Sequence, residues 1–481
     1  MDYREHLLSF LNKDDCEKLL NFQENREETH SFRLNILKYK EIFSILEKHP
    51  FVKDAYIYNK DNDRLGKSIL FEAGAYYIQE PAAMMAEYLL NVKKGEKILD
   101  MCAAPGGKTF NAFIDNNDEG LIVSADIHEI RAKILSSNIE KYGFINTLVL
   151  NQDSSTYKSK FINFFDKIIL DAPCSGSAMF RKNEQAKNEW SIKKVLDCQA
   201  IQKRLIEDAY LMLKNEGMLL YSTCSFSKEE NEDVIIEFLS KHSDMKIIPI
   251  DIAKKYNESI GIKGGLRLYP FNFNGEGQCI FLLKKEGVDA PIQKKFKKKE
   301  NVKIPKIVFD FLESIKLSYN KDNIKYFNNY YWLVNFEDIN LDRLKVLRYG
   351  LQLGSIENNR FIPSHSLAMS YIVNKSNYIE LTFEEACNYY KGLTINKEGN
   401  EGYKIVSYQG LPLGWVKQTN NVLKNHLPKG LRRQYLIKWV VRNDYFFIYN
   451  SLRIMYVMLI KWTKLNKIDN CSIEWLFIRI K

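Results

Sequence analysis

Two cysteines sit in matched surroundings: Cys174 follows Asp171-Ala172-Pro173, and Cys224 follows Tyr221-Ser222-Thr223. Each comes just past an apolar run with the composition of a buried strand. A thiolate is the strongest ordinary nucleophile in proteins near neutral pH. A lone cysteine would read as a small buried hydrophobe. A pair at equivalent strand ends, with Asp171 beside one of them, points to chemistry. Next to a methyl donor, such a pair suits methylation at carbon 5 of a pyrimidine. That carbon is barely nucleophilic until a thiolate adds to carbon 6. A carboxylic acid near nitrogen 3 stabilises the charge that develops. The carbon-5 proton must then leave and the thiol must be expelled, a step a second cysteine can assist. Spacing alone leaves open which cysteine attacks.

A methyl donor has a place to bind. The stretch KILDMCAAPGGKT (Lys97 to Thr109) starts as a short apolar strand and breaks into a loop of small residues. Cys102, Ala103, Ala104, Pro105, Gly106, Gly107 and Lys108 form that loop, and a helix N-terminus follows. It is not a GxxxxGK[ST] phosphate loop, because the first glycine is missing. A nucleoside cofactor without a polyphosphate, such as S-adenosylmethionine, fits better. LIVSAD ends in Asp126, roughly twenty residues past Gly106, the spacing of a ribose-binding carboxylate in a nucleotide-binding α/β unit. Asp153 and Asp171 close the next strands.

These residues need a scaffold that brings strand ends together. After the loop, apolar strands alternate with helices through GQCIFLLKK, ending near Lys285. That alternation predicts a doubly wound, mostly parallel α/β sheet, Rossmann-like, with its site on the carboxyl edge. Pro81 is placed to start a helix whose buried face holds Met84, Met85, Tyr88, Leu89 and Leu90. Ser227 and Glu230 have the S-x-x-E spacing of a capping box.

A chain of 481 residues holds about two to four domains. Its 45% hydrophobic and 27% charged residues are those of an ordinary globular protein. The formal charge of +10 tilts it modestly toward polyanions such as RNA. The eight cysteines lack CxxC or CxxH spacing, so reduced thiols are expected rather than disulfides or a metal site. MDYREHLLSFLNKDD has no apolar signal core, and the expected compartment is the cytoplasm. The expected organisation is an RNA-facing cap over 1–75, carrying the basic HSFRLNILK, and a catalytic core over 76–285. A lysine-rich linker over 286–306 precedes a small α+β middle domain over 307–388. A small β-rich module covers 389–433, and a tail over 434–481 has no assignable role. The aromatics of YFNNYYWLVNF come at mixed spacings and are expected to be core strands, not base-stacking platforms.

LDMCAAPGGKT, IILDAPCSGSAMFRK and YSTCSFSKEENEDVI resemble the signature motifs of the Sun/Fmu (Nop2/Sun-type) family of RNA cytosine-5 methyltransferases. YYIQEP and FRLNILK resemble it too, in the family's order over about residues 1 to 285. RLKVLRYGLQLG, FIPSHSLAM and GLPLGWVKQTNNVLKNHLPKGLR resemble the C-terminal extension of the RsmF branch, which ends in a PUA-like RNA-binding module. The resemblance implies a class I methyltransferase fold and methylation of small-subunit (16S) ribosomal RNA. It makes Cys224 the nucleophile and Cys174 the residue that aids product release. Asp171 would activate the base and lie by the cofactor. Cys102 to Lys108 would hold S-adenosylmethionine, with Asp126 on the ribose and Asp153 by the adenine. No DNA, membrane or metal is implied, and a monomer is expected. One departure stands out: GEGQCIFLLKK occupies the place where relatives usually have a histidine and phenylalanine after GEG. Two alternatives remain: a transfer RNA substrate, or a non-catalytic ribosome-assembly factor that kept the fold.

Overall fold

The computed structural model describes residues 2–25, 29–40, 46–58, 64–288 and 302–436. The expected tail from 434 onward therefore lies almost wholly outside the described residues, as does most of the lysine-rich linker. No helix among the described residues is long and apolar enough to cross a membrane.

The centre is a nine-stranded sheet. Its main path runs Met245–Ile247, Gln278–Lys285, Leu213–Thr223, Phe165–Asp171, Lys97–Asp100, Leu121–Ala125, Thr147–Leu150 and Val346–Tyr349. The strands from Leu213–Thr223 through Thr147–Leu150 pair parallel. Leu121–Ala125 and Thr147–Leu150 are buried at every residue, as parallel strands covered on both faces must be. Gln278–Lys285 joins antiparallel on one side, and short Leu266–Leu268 pairs with it. Helices cover both faces: Gly107–Asn116 and Glu129–Tyr142 pack with Ile98 and Ile122, and Ile192–Met212 packs with Leu99 and Val123 on the opposite face. The doubly wound α/β expectation holds.

The other edge differs from expectation. Val346–Tyr349, from the middle region, pairs antiparallel with Thr147–Leu150 and completes the core sheet. Trp332, Val334 and Tyr349 share one apolar cluster with Leu148 and Leu150. Buried Arg348 reaches Glu140 at 3.1 Å across the same seam. The middle region is thus fastened to the core, a long-range pairing that local patterns do not reveal. Its remaining strands form a four-stranded sheet from Ile324–Phe327 to Arg360–Pro363. Tyr331 and Trp332 there are buried in the core, while Tyr326 and Tyr330 are exposed.

A boundary at 389 cuts through helix Phe383–Lys391, which Thr382 and Glu385 cap reciprocally. The last five-stranded sheet starts earlier, with Tyr378–Glu380 pairing parallel to Gly402–Tyr408. Gly414 within it has φ +142°, and a Cβ there would meet Tyr389 Oη at 2.4 Å, so only glycine fits.

The N-terminal region pairs helices Tyr3–Leu8 and Lys13–Asn25 with a four-stranded sheet. Its basic stretch faces inward. Buried Arg33 pairs with Asp115 of helix Gly107–Asn116. Lys38 Nζ donates to the carbonyls of Ala73 (2.8 Å) and Lys141 (3.0 Å). Burial lowers its pKa to about 7. These two side chains stitch the cap to the core and do not present charge to RNA. The helix expected at Pro81 begins at Met85 instead. Glu80 accepts from the Ala82 and Ala83 N–H groups and makes a turn of the intervening residues.

Candidate active site

The central strand ends at Asp100, the chain crosses Met101 to Gly106, and helix Gly107–Asn116 leaves on the far side. Gly106 caps that helix with φ +111°, a left-handed conformation that glycine adopts without strain. At Gly107 a Cβ would meet the Gln79 amide at 3.1 Å and the Tyr77 ring at 3.2 Å. This second glycine lets the helix pack on the N-terminal sheet. Several loop backbone groups are already paired within the protein. The Ala103 N–H donates to the Ala125 carbonyl at 2.9 Å and the Ala104 N–H to Asp126 Oδ2 at 3.3 Å. Arg131 and Asn138 donate to the carbonyls of Ala104 and Pro105.

Asp100, Asp126 and Asp171 contact this loop or the helix that follows it. Asp126 accepts the His128 N–H at 2.9 Å and lies 3.4 Å from Arg131. Each of its oxygens keeps acceptor capacity for a further hydroxyl. Asp100 accepts from the Thr109 hydroxyl at 2.7 Å, while its buried Oδ1 has no hydrogen-bond partner among the described residues. Burial, with Asp171 and Asp126 adding repulsion, raises its pKa to about 7. Burial also pushes the Cys102 thiol far up. The orphaned Asp100 oxygen and the spare capacity of Asp126 fit a nucleoside cofactor rich in hydroxyl and amine donors. Asp153 is held bidentately by Arg204 at 2.8 and 2.9 Å and caps the turn at Ser155.

Lys108 does not reach out as a phosphate-binding lysine would. It is buried and pairs with Asp171 at 3.1 Å. Burial works against its charge, but Asp171 and Glu87 more than compensate, and its pKa is raised. Asp171 Oδ1 also accepts from the Ser222 hydroxyl (2.8 Å) and the Gln278 amide (3.1 Å). Gln278 is the residue that follows GEG, so the sequence departure sits directly on this acid.

Parallel pairing sets Asp171 opposite Ser222, which matches the ends of the two cysteine-bearing strands. The Sγ atoms of Cys174 and Cys224 lie 3.3 Å apart. The neighbouring thiol and burial together raise the pKa of Cys174 well above its ordinary value. The structure therefore gathers both cysteines and Asp171 at one edge, next to Lys108 and the loop.

Glu230 departs from expectation. It does not close a capping box with Ser227, whose hydroxyl lies 3.3 Å from His6 Nε2. Instead Glu230 turns inward and accepts from Ser175, Ser225 and Gln202. Sequence reasoning missed this group, together with Arg204 and Ser222. The repeated Cys-Ser dipeptide at 174–175 and 224–225 was the visible signal. Helices Tyr3–Leu8 and Lys13–Asn25 brace the same loops: Leu7, Cys16 and Leu19 pack with Ala178 and Phe226, and Cys224 lies against that cluster.

Comparison with known proteins bears on most of the chain between residues 2 and 433. Residues 87–284 match the model "16S rRNA methyltransferase RsmB/F". Residues 2–81 match the N-terminal domain of 16S rRNA methyltransferase RsmF, 310–371 its first C-terminal domain, and 376–433 its PUA domain. The ribosomal RNA small subunit methyltransferase F of Vibrio parahaemolyticus is 32% identical over 394 residues, covering 77% of this chain and 82% of that protein. The protein of the same name from Enterobacter is 28% identical over 395 residues, covering 79% and 82%. Among solved structures, a methyltransferase homologue from Pyrococcus horikoshii is 27% identical with a TM-score of 0.50, covering 58% of this chain and 93% of that one. NSun6 from Pyrococcus horikoshii, solved with SFG, shares the fold at 22% identity and a TM-score of 0.52, covering 59% and 98%.

Proposed function

The chain belongs to the 16S rRNA methyltransferase RsmB/F family, and from that premise we propose that it methylates carbon 5 of a cytosine in small-subunit ribosomal RNA through a covalent cysteine adduct. The observation that carries the reading is the Cys174–Cys224 pair, 3.3 Å apart at the ends of adjacent parallel strands. A non-catalytic assembly factor would have no need of it. The names of the curated relatives favour ribosomal over transfer RNA.

S-adenosylmethionine, when bound, supplies the methyl group. The Cys102 to Lys108 loop would hold it, with Asp126 accepting from ribose hydroxyls and Asp153 by the adenine. Cys224 adds to carbon 6 of the cytosine. Asp171, placed by Ser222, Gln278 and Lys108, passes to nitrogen 3 of the base the proton that the Cys224 thiol gives up, which neutralises the charge that develops there. Cys174 assists loss of the carbon-5 proton and expulsion of the Cys224 thiolate. The neighbouring thiol and burial favour its protonated form. It can pass that proton to the departing Cys224 sulfur, 3.3 Å away, and as a thiolate take up the carbon-5 proton, so that both thiols are restored.

Transfer assays with labelled S-adenosylmethionine test this directly. Label in small-subunit ribosomal RNA, recovered as 5-methylcytosine, is the expected result; label confined to transfer RNA would overturn the substrate.

Asp126→Ala removes an acceptor for the cofactor hydroxyls and is expected to weaken S-adenosylmethionine binding by about 1–3 kcal/mol. Calorimetry showing unchanged affinity would take Asp126 out of the site.

The last sheet supports RNA contact. Lys417 and Lys424 face each other directly across antiparallel strands. Like charges so placed repel unless an anion lies between them. Lys429 and Arg432 are exposed nearby in sequence. Replacing Lys417 and Lys424 by Gln is expected to weaken RNA binding and lower the salt dependence by about one unit of slope per lysine. An unchanged slope would assign these lysines another job.

A further inference from the structure

Glu230 is fully buried, and its carboxylate touches both cysteine loops. Oε1 accepts the Ser175 N–H at 2.7 Å and the Gln202 amide at 3.3 Å. Oε2 accepts the hydroxyls of Ser175 and Ser225, both at 2.5 Å. Those hydroxyls are 3.1 Å from each other. Each serine directly follows one of the cysteines, so one carboxylate clasps both loops one residue beyond the sulfur atoms. Gln202 also donates to the carbonyl of Pro173, the residue before Cys174.

We propose that Glu230 is a positioning residue for the reaction, its carboxylate setting the separation and aim of the Cys174 and Cys224 thiols. The consequence for catalysis rests on the methyl-transfer reading; the geometry does not. The clasp is itself held firmly. Tyr221 Oη donates to the Glu230 carbonyl at 2.5 Å. Neighbouring Asn231 donates to the carbonyls of Ser225 (2.9 Å) and Ser227 (2.8 Å) and accepts from the Thr223 hydroxyl at 2.6 Å. A carboxylate is costly to bury unless donors surround it. Here four donors converge on it, three of them from the serines that directly follow the cysteines. Burial pushes its pKa up and those donors oppose the push. A glutamine could still accept the Ser175 N–H but could not take both hydroxyls on one oxygen with a second acceptor beside it. An alanine would release both loops.

The test uses the full chain and a readout independent of methyl transfer. Diamide draws two electrons and two protons from a pair of thiols, forming the disulfide and the reduced hydrazide. The rate of Cys174–Cys224 disulfide closure, followed by peptide mass spectrometry, therefore reports how the thiols are held. Glu230→Ala is expected to slow closure by about tenfold or more, and Glu230→Gln by less. In methylation assays Glu230→Ala should lower kcat by about 10²-fold, with KM for RNA and cofactor affinity unchanged, and Glu230→Gln should recover part of the loss. The double variant Ser175→Ala/Ser225→Ala keeps the glutamate and removes the clasped hydroxyls, so it should also slow closure. It decides the matter alone if Glu230→Ala does not fold. Wild-type closure rates in the folded variants would overturn the proposal. Slowed closure in a protein whose wild type methylates no RNA would keep the clasp and remove the proposed function.

Discussion

Cys174→Ala is expected to give a slow-migrating protein–RNA band on a denaturing gel when S-adenosylmethionine and small-subunit ribosomal RNA are present, and Cys224→Ala is expected to give none. Removal of the carbon-5 proton and expulsion of the thiol come after the bond to Cys224 has formed. A protein lacking Cys174 therefore attacks, methylates and stalls with RNA attached. A protein lacking Cys224 cannot form the bond and should lose turnover by about 10⁶-fold, the scale of removing a covalent nucleophile. Adding Asp171→Ala to Cys174→Ala should abolish the band, because charge on the base would lose its acid partner. The Sγ atoms are 3.3 Å apart, close enough for either thiol to reach the same base, so only the trapping pattern separates them. A band appearing in Cys224→Ala alone would exchange the two roles.

The second large effect is on stability. Arg267 and Glu232, 1% and 0% exposed, form a forked pair at 2.7 and 2.6 Å. Arg267 also donates to the Phe226 carbonyl at 2.8 Å, two residues beyond Cys224. Breaking one side leaves an unpaired buried charge, so Arg267→Met or Glu232→Leu alone should cost about 3–5 kcal/mol. The double replacement should cost less than either single one, because no charge is stranded. Urea unfolding of the three variants measures the difference. Additive losses would show that the pair is not coupled.

Much of the core was legible because local signals and tertiary needs agree there. LIVSA and TLVL are apolar throughout because both sheet faces are covered. Asp126 and Asp171 close strands, so the carboxyl edge is visible in the sequence itself. What escaped depends on contacts distant in sequence. Val346–Tyr349 pairs with a strand about two hundred residues earlier, and no local pattern encodes such a partner. Arg33 and Lys38, in the basic stretch expected to face RNA, are buried, each against a carboxylate or carbonyl of a distant segment. Glu230 carried a strong local signal that a stronger tertiary one displaced: the hydroxyls of Ser175 and Ser225 outcompete the helix start for its carboxylate. Gln278 differs from the family pattern at a position whose contact, Asp171, lies on another strand.

The most direct measurement is bisulfite sequencing of small-subunit ribosomal RNA from cells lacking this protein, with and without its re-expression. One cytosine is expected to lose its methyl mark, to regain it with the wild-type chain, and not to regain it with Cys224→Ala. An unchanged methylation pattern in the small-subunit RNA, or full restoration by Cys224→Ala, would contradict cysteine-dependent methylation of that RNA.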